Sequence, residues 1–116
     1  MNHHELEISN LSVNYLGHIL HLLSGVEANI LQHGTARLSC TDWRYIESIR
    51  KLIQKVHTKY KKALNQNQKL SYNIKIHKSD ALTVTEAINS YANRKLNEDY
   101  SQLNTLIYNN INCELV

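Results

Sequence analysis

Residues 41–78 have the sequence TDWRYIESIRKLIQKVHTKYKKALNQNQKLSYNIKIHK, and this stretch decides the fold. Apolar residues recur at intervals of three and four from Ile46 to Leu64, a period typical of an amphipathic helix. After a polar turn, apolar and polar residues alternate, which is typical of a strand with one buried face. The stretch therefore predicts a long helix over residues 42–65 and a strand over residues 69–77.

The same stretch carries most of the positive charge. The chain has 13 Lys and Arg against 10 Asp and Glu, a net charge of +3. Between Ser48 and Ser79 there is no acidic residue, although nine of the 13 basic residues lie there. These nine are Arg50, Lys51, Lys55, Lys59, Lys61, Lys62, Lys69, Lys75 and Lys78. Such segregation creates a local field that attracts phosphate groups or an acidic protein surface.

The flanking segments complete a helix-rich α+β prediction. Apolar spacing predicts a helix over residues 12–33, and alternation predicts a short strand over residues 35–40. A further helical pattern covers residues 84–110. It begins beside Thr83 and Glu86, whose spacing fits a capping box.

The patterns leave two architectures open. The first has about three helices with two or three short strands, as a single layer or a small sheet packed on the helices. The second is a mainly-α bundle with a minor hairpin. The pattern after Thr83 is interpreted as one helix or as two, divided near residues 97–99. A chain of 116 residues is long enough for one core, so residues 1–116 are predicted to form a single domain.

Composition excludes several classes of function. No apolar run reaches the length of about 18 residues typical of a membrane-spanning helix, and the N-terminal residues carry no export signal pattern. A cytoplasmic protein without membrane association is therefore expected, with Cys40 and Cys113 as buried free thiols. His18 and His21 are three apart but are predicted to lie on the surface, so neither a metal nor a cofactor is predicted.

The candidate binding residues are cations on the polar side of the central helix and strand. They are Arg44, Arg50, Lys51, Lys55, Lys62 and Lys75. A ladder of cations along a rod attracts phosphates and releases their counterions. If helix and strand pack side by side, Lys75 and His77 extend the same surface. The first prediction is a small non-enzymatic, nucleic-acid-associated accessory or regulatory protein with no catalytic residue.

The second prediction is a stoichiometric protein inhibitor or an immunity-type protein of a mobile element. It would dock the same basic face on an acidic partner surface. Trp43 is predicted to pack at a corner of the core, and an exposed Trp43 would instead be an anchor for a partner. An apolar patch on the last helix is also expected to suit a homodimer.

The third prediction comes from Arg50 and His57, which lie about two turns apart on one flank of the central helix. The pair resembles the Arg–His helix motif of HEPN-type ribonucleases, which are small and helical. This resemblance implies that Arg50 holds a phosphate and that His57 acts as acid or base. The third alternative is therefore a small HEPN-like ribonuclease.

Overall fold

The computed structural model describes residues 5–33, 37–66, 71–92 and 98–115. Within these residues the fold is α+β and rich in helix, as the sequence predicts, but it has four helices rather than about three. In chain order the elements are β1 (Glu5–Leu11), α1 (Val13–His33), α2 (Cys40–Gln66), β2 (Tyr72–His77), α3 (Lys78–Tyr91) and α4 (Glu98–Leu115).

The two strands form an antiparallel sheet with one buried face. Leu6 lies opposite Ile76, and Ile8 lies opposite Ile74. All four side chains are buried, because alternation along each strand points them at the helices. β2 packs against α2, and β1 packs against α4. The other face of the sheet therefore remains open to solvent.

β2 pairs with β1, and the strand predicted at residues 35–40 is not found in its described part. Residues 37–39 have no regular structure, and α2 begins directly after them; residues 34–36 lie outside the described residues. The physical reason is a reciprocal cap. The Asp42 N–H donates to Ser39 Oγ at 3.0 Å, and the Ser39 N–H donates to Asp42 Oδ2 at 3.2 Å. These bonds satisfy the first donors of the helix and commit the segment to its start.

The predicted start of the last helical pattern is also wrong. α3 begins at Lys78, directly after β2, and its cap is His77, whose Nδ1 accepts the Ser79 N–H at 3.2 Å. Thr83 lies inside this helix and donates its hydroxyl to the Ser79 carbonyl at 2.8 Å. The capping box proposed for Thr83 and Glu86 is therefore not formed.

The pattern over residues 84–110 corresponds to two helices. α3 ends at Tyr91 and α4 begins at Glu98, so the division near residues 97–99 is confirmed. The residues between them, 93–97, lie outside the described part. β2 begins at Tyr72 rather than at residue 69, and residues 69–70 are likewise not described.

Two glycines let α1 approach its neighbours closely. A Cβ on Gly17 would lie 3.2 Å from the ring of Tyr60 on α2. A Cβ on Gly25 would overlap the hydroxyl of Tyr100 on α4. Glycine lowers helix propensity by about 1 kcal/mol relative to alanine, yet α1 is continuous from Val13 to His33. Tertiary packing therefore outweighs local propensity here.

Three residues that were expected to be buried are exposed. Leu64 is 60% exposed and Trp43 is 54% exposed, and the thiol of Cys40 also lies on the surface. All three lie near the ends of α2. This helix has 27 residues and is about 40 Å long, so it exceeds its neighbours α1 and α3 in length. Its terminal turns are therefore covered less than its middle.

Candidate nucleic-acid interface

A groove of about 800 Å³ lies between the exposed face of the sheet and the polar flank of α2. We call it the lysine groove. Its polar lining residues are Glu5, Glu7, Lys51, Gln54, Lys55, Thr58, Lys59, Asn73, Lys75, His77 and Asp80. Helix and strand thus pack side by side, and the cations of both face one surface.

Three lysines form a row along the helix wall of the groove. Lys51, Lys55 and Lys59 are spaced four residues apart, so successive side chains lie about 6 Å apart along the helix axis. On the opposite side of the helix, Ile46 and Ile49 are buried in the core. Because the apolar stripe holds that side inward, the lysine row is held outward.

The sheet supplies the floor of the groove. Lys75 and His77 point outward because their neighbours in β2 alternate into the core. On β1, Glu7 lies opposite Lys75 and Glu5 lies opposite His77. The groove is therefore polarised, with lysines on α2 and β2 and with Glu5 and Glu7 on β1, while the remaining carboxylate, Asp80, lies on α3. Its lining has four lysines against three carboxylates.

Lys51 is the cation of the row that has protein partners. Its Nζ lies 3.6 Å from Glu47 Oε1 and 3.8 Å from Asp80 Oδ1. Asp80 also accepts the Ser48 hydroxyl at 2.9 Å. Exposed ion pairs of this kind contribute about 0–1 kcal/mol, so a phosphate can compete for Lys51 at little cost.

The other lysines of the groove have no such partners. Within the described ranges, Lys55, Lys59 and Lys75 form no ion pair within 4.0 Å. Lys55 and Lys75 are exposed and Lys59 is half-buried. Their ammonium groups are therefore available to an anion from outside the chain.

The remaining predicted binding residues are distributed differently. Arg44 and Lys62 are exposed on the lysine side of α2 but do not line the groove. Arg50 lies on the flank that faces α1, where its Nε and Nη2 both lie 3.3 Å from Glu27 Oε1. The structure thus brings Lys51, Lys55 and Lys75 together in the lysine groove, whereas Arg50 lies outside this groove.

Lys59 lines the groove but is not among the binding residues predicted from the sequence. It lies close to the apolar stripe on the helical wheel, whereas the predicted residues were taken from the polar side of the helix. The four-residue spacing from Lys51 through Lys55 to Lys59 is the signal that identifies it.

A smaller concavity of about 420 Å³ lies at the N-terminal end of α2. We call it the Trp43 hollow. It is lined by Trp43, Ile46, Glu47, Arg50, Lys51 and Gln54. Lys51 and Gln54 line both the hollow and the lysine groove, so the two concavities adjoin. The prediction that Trp43 packs in the core is wrong, and the exposed indole borders the basic surface instead.

The first turn of α2 is tied to the end of α3. The Tyr91 hydroxyl donates to Asp42 Oδ1 at 2.5 Å. This bond, together with the bonds from Ser39, lowers the pKa of Asp42 below its ordinary value. The same bond is the main reason that the pKa of Tyr91 is raised, and burial adds to it. The turn that carries Trp43 is therefore held by side chains on both sides.

The histidines and Cys40 do not assemble into a second centre in the part of the chain that is described. His57 is exposed, while the guanidinium of Arg50 is bound to Glu27. His18 Nε2 lies 3.3 Å from Asp99 Oδ2. Among the described residues, no group of three or more His, Cys, Asp and Glu side chains is arranged to hold a metal ion.

Comparison of the chain with protein-family models, curated protein sequences and solved structures gave no match. None of the described helices is both long enough and apolar enough to cross a bilayer.

Proposed function

We propose that this chain binds nucleic acid through the phosphate backbone and acts as a non-enzymatic accessory or regulatory protein. The observation that supports the proposal is the row of Lys51, Lys55 and Lys59 facing Lys75 across one groove. The residues belong to two consecutive elements, α2 and β2, and the packing of these elements brings their charges to one concave surface.

The geometry of the row suits a repeating anion. Lys51 and Lys59 are eight residues apart, which places them about 12 Å apart along the helix axis. Arg44 and Lys62 continue the same side of the helix, so the cationic side extends over about 27 Å. A linear polyanion can contact several of these cations together and release a counterion at each contact.

The carboxylates of β1 restrict where phosphates can bind in the groove. Glu5 and Glu7 would repel phosphates, whereas Lys55 and Lys59 on the opposite wall would attract them. The backbone is therefore expected to lie along α2 rather than across the sheet. A mixed groove of this kind also lowers non-specific affinity for small anions.

Fluorescence anisotropy tests this proposal. Labelled single-stranded and duplex oligonucleotides are titrated with protein from about 50 mM to 200 mM salt. We expect binding that weakens steeply with salt, at a log–log slope of about −0.7 to −0.9 per phosphate contact. Lys55→Glu should weaken binding to every sequence and make the slope shallower by about 1.

Lys61→Glu is the matched control. Lys61 is an exposed lysine on the same helix, but it does not line the groove. It should therefore change the affinity much less than Lys55→Glu does. Equal losses in the two variants would reduce the effect to net charge and contradict the groove. Failure of every oligonucleotide to bind at low salt would contradict the proposed function and favour an acidic protein partner.

A further inference from the structure

We infer that the nucleic acid bound here is single-stranded and that one of its unpaired bases stacks on Trp43. This inference rests on the proposed function and specifies its ligand. It is carried by the juxtaposition of an exposed indole, 54% exposed, with a lysine-lined groove that shares Lys51 and Gln54 with it.

The indole is presented by a fixed turn. Trp43 directly follows Asp42, which is bound by Ser39 at the helix start and by Tyr91 of α3. The Trp43 N–H also donates to the Ser39 carbonyl at 3.1 Å. An aromatic side chain on a preorganised turn loses little conformational freedom when a ligand contacts it. An exposed tryptophan in this setting is suited to binding rather than to the stability of the core.

Single strands are recognised by this combination of parts. A cationic groove follows the backbone while aromatic side chains stack on successive bases. In a duplex the base faces are stacked on each other and are not available to an indole. The Trp43 hollow thus favours a ligand with unpaired bases.

The carboxylates on the β1 side of the groove, Glu5 and Glu7, favour the same ligand. A duplex that placed one strand along Lys55 and Lys59 would bring its second row of phosphates towards the sheet. Glu5 and Glu7 lie there, on the strand away from α2. A single strand can lie on the lysine row without approaching these carboxylates.

The distance along α2 sets the expected length of the ligand. Trp43 and Lys59 are 16 residues apart, which corresponds to about 24 Å along the helix axis and about 160° around it, so a strand that reaches both must also cross α2. Stacked nucleotides advance about 3.4 Å each along one strand, so the axial distance alone takes about seven of them. Affinity should therefore rise with oligonucleotide length up to at least eight nucleotides.

The intrinsic fluorescence of the protein reports the contact directly, because Trp43 is the sole tryptophan of the chain. The probes are eight-nucleotide DNA and RNA single strands, the same strands without bases, and a duplex of the DNA strand. We expect the single strands to quench Trp43 emission at the midpoint at which anisotropy reports binding. The duplex should bind more weakly, and the abasic strands should bind without quenching. The tighter of the DNA and RNA strands then identifies the chemical class of the ligand.

Substitution at the indole provides the second measurement. Trp43→Ala should weaken single-strand binding by about fivefold to 150-fold, the range for loss of one stacking aromatic. Trp43→Phe keeps a ring and should lose less. Tyr108→Ala is the matched control, because Tyr108 is an aromatic side chain with 50% exposure on α4 and lines neither concavity. It should leave the affinity unchanged.

The outcomes separate the inference from the proposed function. If duplex and single strand bind equally and both Trp43 variants bind like the wild type, the inference is wrong and the lysine groove stands. Quenching by abasic strands equal to that by normal strands would also overturn it, because the contact would then be to the backbone. If no oligonucleotide binds at low salt, both fail. Circular dichroism of each variant confirms that it is folded.

Discussion

The two polar flanks of α2 use their cations in different ways. On the flank that faces α1, Arg50 is bound by Glu27 and joins two helices. On the flank that faces β2, Lys55 and Lys59 find no carboxylate within 4.0 Å in the described part of the chain. Cations from one stretch of sequence therefore have two roles. Arg50 contributes to the packing of the fold, and the lysines remain available to a ligand.

Charge reversal at Lys55 and Lys59 is expected to have the largest effect on the difference between the two flanks. The double variant Lys55→Glu with Lys59→Glu should weaken nucleic-acid binding by about 100-fold, since it removes two phosphate contacts and adds repulsion. Its unfolding midpoint in urea should stay near that of the wild type, because neither side chain has an ion-pair partner among the described residues. Anisotropy and urea denaturation measure the two effects separately. A large loss of stability would show that the row has a structural role.

The next largest effect concerns the turn that carries Trp43. Ser39→Ala removes the hydroxyl that accepts the Asp42 N–H and should lower the free energy of unfolding by about 1 kcal/mol. Urea denaturation followed by circular dichroism measures it. Thr58→Ala is a suitable control, because its hydroxyl bonds only the Gln54 carbonyl within the same helix. A stability loss no larger than that of the control would mean that Ser39 does not cap α2.

Removal of a carboxylate from the β1 side of the groove should raise the nucleic-acid affinity instead of lowering it. Glu7→Gln keeps the size of the side chain but removes one carboxylate from the groove, so nucleic-acid affinity should increase by about twofold to fivefold. Glu86→Gln is the matched control, because Glu86 is exposed on α3 and does not line the groove. Anisotropy at low salt compares the two variants. An equal gain in both would show that net charge rather than position decides the affinity.

The Arg50 flank of α2 should respond more in stability than in nucleic-acid binding. Arg50→Gln removes the ion pair with Glu27 and should lower the free energy of unfolding by about 0.5 kcal/mol, as expected of an exposed pair. Nucleic-acid affinity should fall less than in Lys55→Glu. The double variant with Glu27→Gln completes a double-mutant cycle. If Arg50→Gln weakened binding as much as Lys55→Glu, the two flanks would not differ in role.

The smallest effect is a pH dependence at the start of α2. Because the folded pKa of Asp42 is lowered, mainly by the Tyr91 hydroxyl, its contribution to stability is present above the ordinary pKa of 3.8. The contribution is lost as the pH falls through the folded pKa. The stability difference between wild type and Tyr91→Phe should therefore be larger at pH 6 than at about pH 2. Urea midpoints across this range measure it, and a difference that does not change with pH would contradict the assignment.

The same bond makes a matching expectation at high pH. The pKa of Tyr91 is raised above its ordinary value of 10.0, mainly by the bond to Asp42. The contribution of the Tyr91 hydroxyl to folding stability is therefore complete below its ordinary pKa of 10.0 and is lost as the pH rises through the folded pKa. An ultraviolet titration of tyrosinate in the wild type and in Asp42→Asn measures the shift.

Periodicity was sufficient for the central elements. The apolar stripe of α2 and the alternation of β2 identify a helix and a strand at nearly their observed positions, because each buries one face of a regular element. The weaker alternation over residues 35–40 did not predict the structure of the described residues 37–40, and the reason is local. A reciprocal hydrogen-bond pair between Ser39 and Asp42 starts α2 there, and a short alternating segment does not compete with it.

Burial at the ends of α2 could not be predicted from the stripe alone. Leu64 continues the stripe in sequence, but it lies in the last turns of a helix that is longer than its neighbours, and it is exposed. Trp43 is exposed for the same reason at the other end. Whether an apolar side chain is covered depends on which element lies beside it, and a one-dimensional pattern does not contain that information.

Spacing and composition alone were sufficient to predict that α2 is amphipathic, that β2 has one solvent-exposed face, and that positive charge is concentrated on both. These are properties of spacing and composition within a single element. Three relations depend on tertiary packing. Lys75 faces the lysine row, Glu27 binds Arg50, and Glu5 and Glu7 lie on the β1 side of the groove. Each of these relations joins residues far apart along the chain. Their proximity depends on how the elements pack, because side chains on separate elements interact only after the core has set their positions.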